Sequence, residues 1–377
     1  MDVLLDEDET LLQQALRRFF ESRCPPSRVR AAEDQSLQID SELWSALAEL
    51  GWLGLALPAM HGGSEAPLSQ LGLLFEEAGR ALAPVPLLAH TVAALCLARH
   101  ATPEQQERLL PAAIMGDAVL TWSWSEQRFG LHPSSIQLRA ERQGNGWRLT
   151  GSKRFVDAFP SSTACIVPAR TTPGETQHGI SLLLVSPDTP GLSCTASGTL
   201  AGDRQYELHF DGAQVGGDAL LGEVDKAWPI ALDMLDTAVM LNTAMTVGAT
   251  RMAVERAVAY AKERHAFGKP IAAFQAIQHM CANMITWVDG AELLNREAIW
   301  KRARGEAARL EIAGAKAFAN EYCQAALREA NQIHGGVAQV REYDQQLWYR
   351  RAAAWTMRLG TSLDHRRTVA DELALGV

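Results

Sequence analysis

Apolar positions recur about every 3.6 residues over the first third of the chain. The segment "ETLLQQALRRFFESR" carries them at 11, 12, 16, 19 and 20, the spacing of an amphipathic helix. "DSELWSALAELGW" aligns Leu43, Trp44, Leu47 and Leu50 on one stripe behind an Asp40-Ser41 cap. "LSQLGLLFEEAGRAL", "PLLAHTVAALCLARH" and "TPEQQERLLPAAI" continue the pattern, the last opening on Thr102 and Pro103 as N-cap and first helical residue with Glu104 in the first turn.

At about residue 118 the period shortens. "AVLTWSWSE", "SIQLRAERQGNGWRLTGSKRFV", "TACIVPAR", "GISLLLVS" and "YELHFDGAQV" are β-type runs separated by Gly, Pro, Asn and Asp. A hairpin is expected around Asn145-Gly146. About seven strands in so short a stretch suit a small barrel or sandwich better than a parallel sheet. From Trp228 the helical period returns, with helices expected over 228–264, 272–304, 307–331 and 340–359. The expected architecture is α+β: an N-terminal helical bundle (1–118), a central β-domain (119–226) and a C-terminal four-helix bundle (227–377). The Ala-rich "EIAGAKAFANEYCQAALREA" suits close helix packing or a subunit interface.

Composition narrows the function classes. The 377 residues, 47% hydrophobic and 21% charged, are those of an ordinary globular protein. A net charge of −9 argues against non-specific nucleic-acid binding, which needs a basic surface. Six scattered cysteines without a CxxC pair fit reduced thiols better than a disulfide framework or zinc site. The acidic start "MDVLLDEDET" does not read as a signal or transit peptide, and no apolar run is read as a membrane span, so a cytoplasmic protein without membrane insertion is expected. There is no GxSxG, no GxxxxGK[ST] and no GxGxxG after a strand.

Three stretches could carry chemistry. In "KERHAFGKPIAAFQAIQH", Gly268 reads as a helix C′ residue and Pro270 as the stop. "NQIHGGVAQV" pairs Gly335 and Gly336 between two helices, either as a turn or as backbone able to approach a phosphate closely. In "GWLGLALPAMHGGSEAPLSQLGLLFEEAGRALAPVPLL", Pro58 and Gly62-Gly63 make a loop before a helix.

Together, in this order, "GWLGL…P…GG…EEAGRALAP", "GSKRFV", "RHAFGKPIAAFQAIQHMCANM" and "QIHGG…YRRA" resemble the acyl-CoA dehydrogenase family from end to end. The resemblance implies FAD held between the β-domain and the C-terminal helices, with part of it bound by a neighbouring subunit. The matching cofactor positions are Arg264, Phe267, Gln275, Gln332, Gly335 and Gly336, together with Trp122, Trp124, Ser125, Phe155 and Asp157 in the β-domain. A guanidinium such as Arg264 suits a pyrophosphate through paired charge-assisted bonds. For Trp122 and Trp124 a packing role competes with flavin contact. The resemblance further implies an acyl-CoA substrate, an electron-transfer flavoprotein as acceptor, and a homotetramer or an α2β2 heterotetramer.

Two loops depart from the family pattern. "SEQRFGLH" replaces a loop ending in Gly-Ser-Asp, and "RFVDA" puts Asp157 where a hydroxyl is usual. The larger departure concerns the base. The family reaction removes an α-proton by a carboxylate while the β-hydrogen leaves as hydride to the flavin, and the glutamate occupies one of two main positions. Those positions hold Leu359 and Ala238 here, and a third, near Ala244, is also without an acid. No carboxylate occurs between Asp344 and Asp364, and Asp236 would face another side of its helix. The substitutes within the chain are Asp157, Glu126 and Asp364. Otherwise the chain is a non-catalytic subunit of a heteromeric member, or a flavin-dependent monooxygenase or oxidase on the same fold.

Overall fold

The computed structural model describes residues 4–36 and 39–374; the first three residues of the acidic N-terminus lie outside it. Six helices come first: α1 (Glu7–Arg23), α2 (Pro26–Asp34), α3 (Ser41–Glu49), α4 (Leu68–Arg80), α5 (Leu87–His100) and α6 (Pro103–Ile114). Side-chain caps set the starts of α1, α3 and α6, whereas α2, α4 and α5 begin behind prolines. Asp6 and Glu9 form a capping box on α1, Asp40 accepts from the Leu43 amide, and Thr102 and Gln105 close a second box on α6. Leu16, Leu43, Leu47, Leu53 and Phe75 are sealed inside this bundle.

Eight strands follow: β1 (Leu120–Trp122), β2 (Arg139–Gln143), β3 (Gly146–Asp157), β4 (Ala164–Arg170), β5 (Ile180–Val185), β6 (Leu192–Gly198), β7 (Arg204–Val215) and β8 (Leu220–Leu221). They form one sheet in the order β6-β7-β3-β2-β4-β5-β8, with β1 parallel to β4. Leu149, Val156 and Leu208 of β3 and β7 share a core with Val167 and Leu183 of β4 and β5, so the sheet curls over itself. The β2–β3 hairpin turns at Gly144-Asn145, one residue earlier than expected, because Gly144 takes φ +58°.

The C-terminal part contains α7 (Trp228–Glu263), a small hairpin of β9 (His265–Ala266) and β10 (Lys269–Pro270), then α8 (Gln275–Ala303), α9 (Arg309–His334), α10 (Gln345–Met357) and α11 (Ser362–Glu372). Three expectations change here. Gly268 is not a helix C′ residue: α7 ends at Glu263, and Phe267 (φ +51°) with Gly268 (φ +79°) makes the two-residue turn of the hairpin. The helix α7 is also long and apolar enough to cross a membrane by length and composition, contrary to the reading above. Its most apolar window is 72% buried within the fold, which makes it a core helix. A fifth helix, α11, completes this part beyond the expected four.

The crossing of α4 on α7 depends on glycine. A Cβ on Gly248 would lie 1.9 Å from the Glu76 carbonyl oxygen, and one on Gly79 would lie 2.2 Å from that of Met245. Backbone meets backbone there, which fixes how far α7 stands from the N-terminal bundle. Four cysteines, Cys24, Cys96, Cys165 and Cys323, are buried, and Cys194 is exposed.

Candidate functional site

A cleft opens where the end of β3, the loop into α5, α7 and the end of α10 converge. Pro86, Ala89, Met245 and Trp355 supply apolar walls, and Asp157 and Arg358 face each other across it. On the β side, the ladder between β3 and β7 shifts register between Lys153 and Val156. That bulge turns Phe155 outward at φ +58°, leaving it 57% exposed. Asp157 follows two residues later.

On the helical side, α10 ends at Met357 and the chain turns through Leu359 (φ +60°) and Gly360 (φ +111°) into α11. Three buried side chains hold this turn. His365 Nε2 pairs with the Leu359 carbonyl at 2.8 Å, Asn320 donates to that of Gly360 at 3.0 Å, and Lys316 donates to that of Trp355 at 2.9 Å. Burial pushes Lys316 down to about 7 and His365 to about 4. The Leu359 side chain is half-buried against the main core and is not among the cleft-lining residues; Arg358, its neighbour, enters the cleft instead.

Arg358 Nη2 donates to both oxygens of Asp157, at 2.7 and 2.6 Å. Its Nη1 lies 3.7 Å from Asp203, and Gln205 donates to Asp157 at 3.3 Å. The third cleft carboxylate, Glu33, bridges Arg350 at 2.8 Å and Arg351 at 3.0 Å. Among the described residues, every carboxylate lining the cleft is therefore ion-paired. Sequence reasoning missed Arg358, although two cues were available: an unusual acid at 157, and cations without acids from 345 to 363.

The other candidate acids are also committed. Glu126 accepts from Lys153 Nζ at 2.7 Å and from the amides of Gln137 and Leu138 at 2.8 and 3.0 Å, with both charged side chains nearly inaccessible. Asp364 caps α11 through a box with Thr361. Asp236 pairs with Arg309 at 2.8 Å. Ala238 is fully buried in the core, and Ala244 faces α4 and α8 rather than the cleft.

Trp122 and Trp124 are buried beside Trp228 in the core, and the Trp124 indole donates to the Gly130 carbonyl at 2.9 Å. The Ser125 carbonyl accepts from the Arg154 amide at 2.7 Å. The remaining positions that the resemblance matched to the cofactor lie toward the far end of α7. His334, closing α9, stacks on Tyr260 near the end of α7 at 4.6 Å, which sets the Gly335-Gly336 corner at that end of the helix. Arg264, Gln275, Gln332, Gly335 and Gly336 are exposed there, and Phe267 is 95% exposed. No atom lies within 4 Å of a Cβ built on either glycine, so their backbone is open to approach.

Sequence profiles for the N-terminal, middle and C-terminal domains of acyl-CoA dehydrogenases match residues 6–117, 121–213 and 225–374. The chain belongs to the acyl-CoA dehydrogenase family. It is 29% identical over 382 residues to the probable acyl-CoA dehydrogenase YngJ of Bacillus subtilis, covering 99% of this chain and 100% of that one. Among solved structures, the steroid acyl-CoA dehydrogenase Tcur3481–Tcur3483 superimposes with a TM-score of 0.88 at 31% identity, covering 98% of both chains. The ChsE4–ChsE5 complex of Mycobacterium tuberculosis gives 0.91 at 27% identity, covering 99% of both. Members of the family bind FAD.

Proposed function

We propose that this chain is a subunit of a heteromeric, FAD-dependent acyl-CoA dehydrogenase, and that the catalytic carboxylate comes from a homologous partner chain. The observation that carries this reading is that, among the described residues, the cleft holds no uncommitted acid: Leu359 and Ala238 stand at the expected positions, and each carboxylate lining the cleft is ion-paired. Taking a proton on Asp157 would break its doubled bond to Arg358.

The residues present fit FAD. Phe155 is an outward-facing aromatic suited to a flavin face, and Arg264 with the open Gly335-Gly336 backbone suits a pyrophosphate. The exposed Phe267 suits a cofactor completed at a subunit boundary. When bound, the flavin supplies hydride acceptance from the acyl β-carbon. An electron-transfer flavoprotein would be the acceptor partner of the assembly. Likeness to a steroid acyl-CoA dehydrogenase favours a bulky acyl group, such as a steroid side chain, over a simple fatty chain.

The test is co-expression with a homologous, Glu-bearing gene, followed by light scattering, flavin absorbance and turnover. The expected outcome is an α2β2 assembly with about one flavin per two chains and acyl-CoA oxidation. A homotetramer of this chain alone, fully flavin-loaded and oxidising acyl-CoA, overturns the proposal. So does an isolated chain that consumes oxygen with reduced flavin and ignores acyl-CoA.

A further inference from the structure

Dehydrogenation needs the acyl α- and β-carbons to lie between a hydride acceptor and a base. In this chain the two walls that would flank those carbons are bonded to each other. Asp157 is two residues beyond the outward Phe155 on β3, and Arg358 immediately precedes Leu359 on the opposite wall. Their side chains meet across the cleft through two bonds of 2.7 and 2.6 Å, reinforced by Asp203 and Gln205.

Only 22% of the Arg358 side chain and 21% of the Asp157 side chain remain exposed. We infer that the Arg358–Asp157 ion pair is a plug that excludes acyl thioesters from this chain's own cleft, leaving the partner's cleft as the acyl site of the assembly. This inference rests on the subunit reading above.

The energetics favour exclusion. A thioester is neutral and can replace neither charge, so its entry would separate two partly desolvated ions and leave each without its partner. The apolar acyl chain offers no compensation to a guanidinium or a carboxylate. The backbone around Arg358 yields little, because Lys316 holds the end of α10 before it and Asn320 and His365 pin the turn that follows it.

The test titrates the full-length chain, alone and within the co-expressed assembly, with an S-octyl thioether of CoA in a calorimeter. The wild-type chain alone is expected to show no binding up to about 1 mM, and Asp157→Ala with Arg358→Ala is expected to bind at least about tenfold more tightly. In the assembly, the same double variant should raise the number of ligand sites per heterodimer from one to two. If the double-alanine chain fails to fold, Asp157→Asn with Arg358→Gln keeps the shape without the charges and is expected to show the same gain.

Wild-type binding as tight as that of either folded double variant overturns the plug. The two failures are separable. A wild-type chain that binds the thioether but leaves acyl-CoA unoxidised sinks the plug alone, whereas turnover by the isolated chain sinks the subunit reading.

Discussion

Replacing Glu126 by Gln separates a structural acid from a catalytic one. The carboxylate uses one oxygen for Lys153 Nζ and the other for the amides of Gln137 and Leu138. A Gln can keep its oxygen on the two amides, but its NH2 then faces the ammonium, donor against donor. Lys153 is fully buried, and burial already holds its pKa below the usual lysine range.

Removing one partner of such a pair costs about 3–5 kcal/mol. Spread over the unfolding entropy of a 377-residue chain, that lowers the melting temperature by about 4–6 °C. Glu126→Gln with Lys153→Met should recover most of the loss, because no unpaired charge remains. Calorimetric scans of the wild type, the single and the double variant read this directly. A Glu126→Gln protein that melts with the wild type, in an assembly that no longer oxidises acyl-CoA, would refute the structural role and make Glu126 the base.

Further outcomes are expected elsewhere. Gly248→Ala should cost about 2–4 kcal/mol in chemical denaturation, because its methyl group would overlap the Glu76 carbonyl and push α4 off α7. Burial pushes Glu76 up to about 7, against an unfolded value near 4.5, with Glu292 beside it adding to the effect. The unfolded chain therefore loses this proton first, and stability falls as pH rises between those values. Glu76→Gln removes that dependence, so the denaturation midpoint of the variant should gain on the wild type between pH 4.5 and 7. Phe267→Ala, at a 95% exposed position, should change the chain's own stability by less than about 0.5 kcal/mol while loosening flavin retention, read by ultrafiltration and absorbance.

The fold was legible because its elements are locally consistent. Period and capping chemistry located α1, α3 and α6, and the switch to alternating runs marked the β-domain. Local signals misled where tertiary context decided. Gly268 sits in a hairpin turn, and α7 is apolar on nearly every side because α4, α5, α9 and α10 surround it.

The helix α11 was missed because "SLDHRRTVADE" buries only His365 and shows no apolar stripe. For the site, the leucine at 359 and the alanine at 238 were plain in the sequence, but the Arg358–Asp157 pair was not. Its members stand 201 residues apart, and only folding brings the unusual acid at 157 against the arginine that precedes Leu359.

The central claim is that this chain takes no α-proton itself. Its most direct test is anaerobic stopped-flow absorbance at the flavin band, using the purified chain alone, reconstituted with FAD and mixed with the acyl-CoA that the co-expressed assembly oxidises. The flavin is expected to stay oxidised in the isolated chain and to bleach when the Glu-bearing partner is present. Bleaching in the isolated chain at the rate seen with the assembly would contradict it.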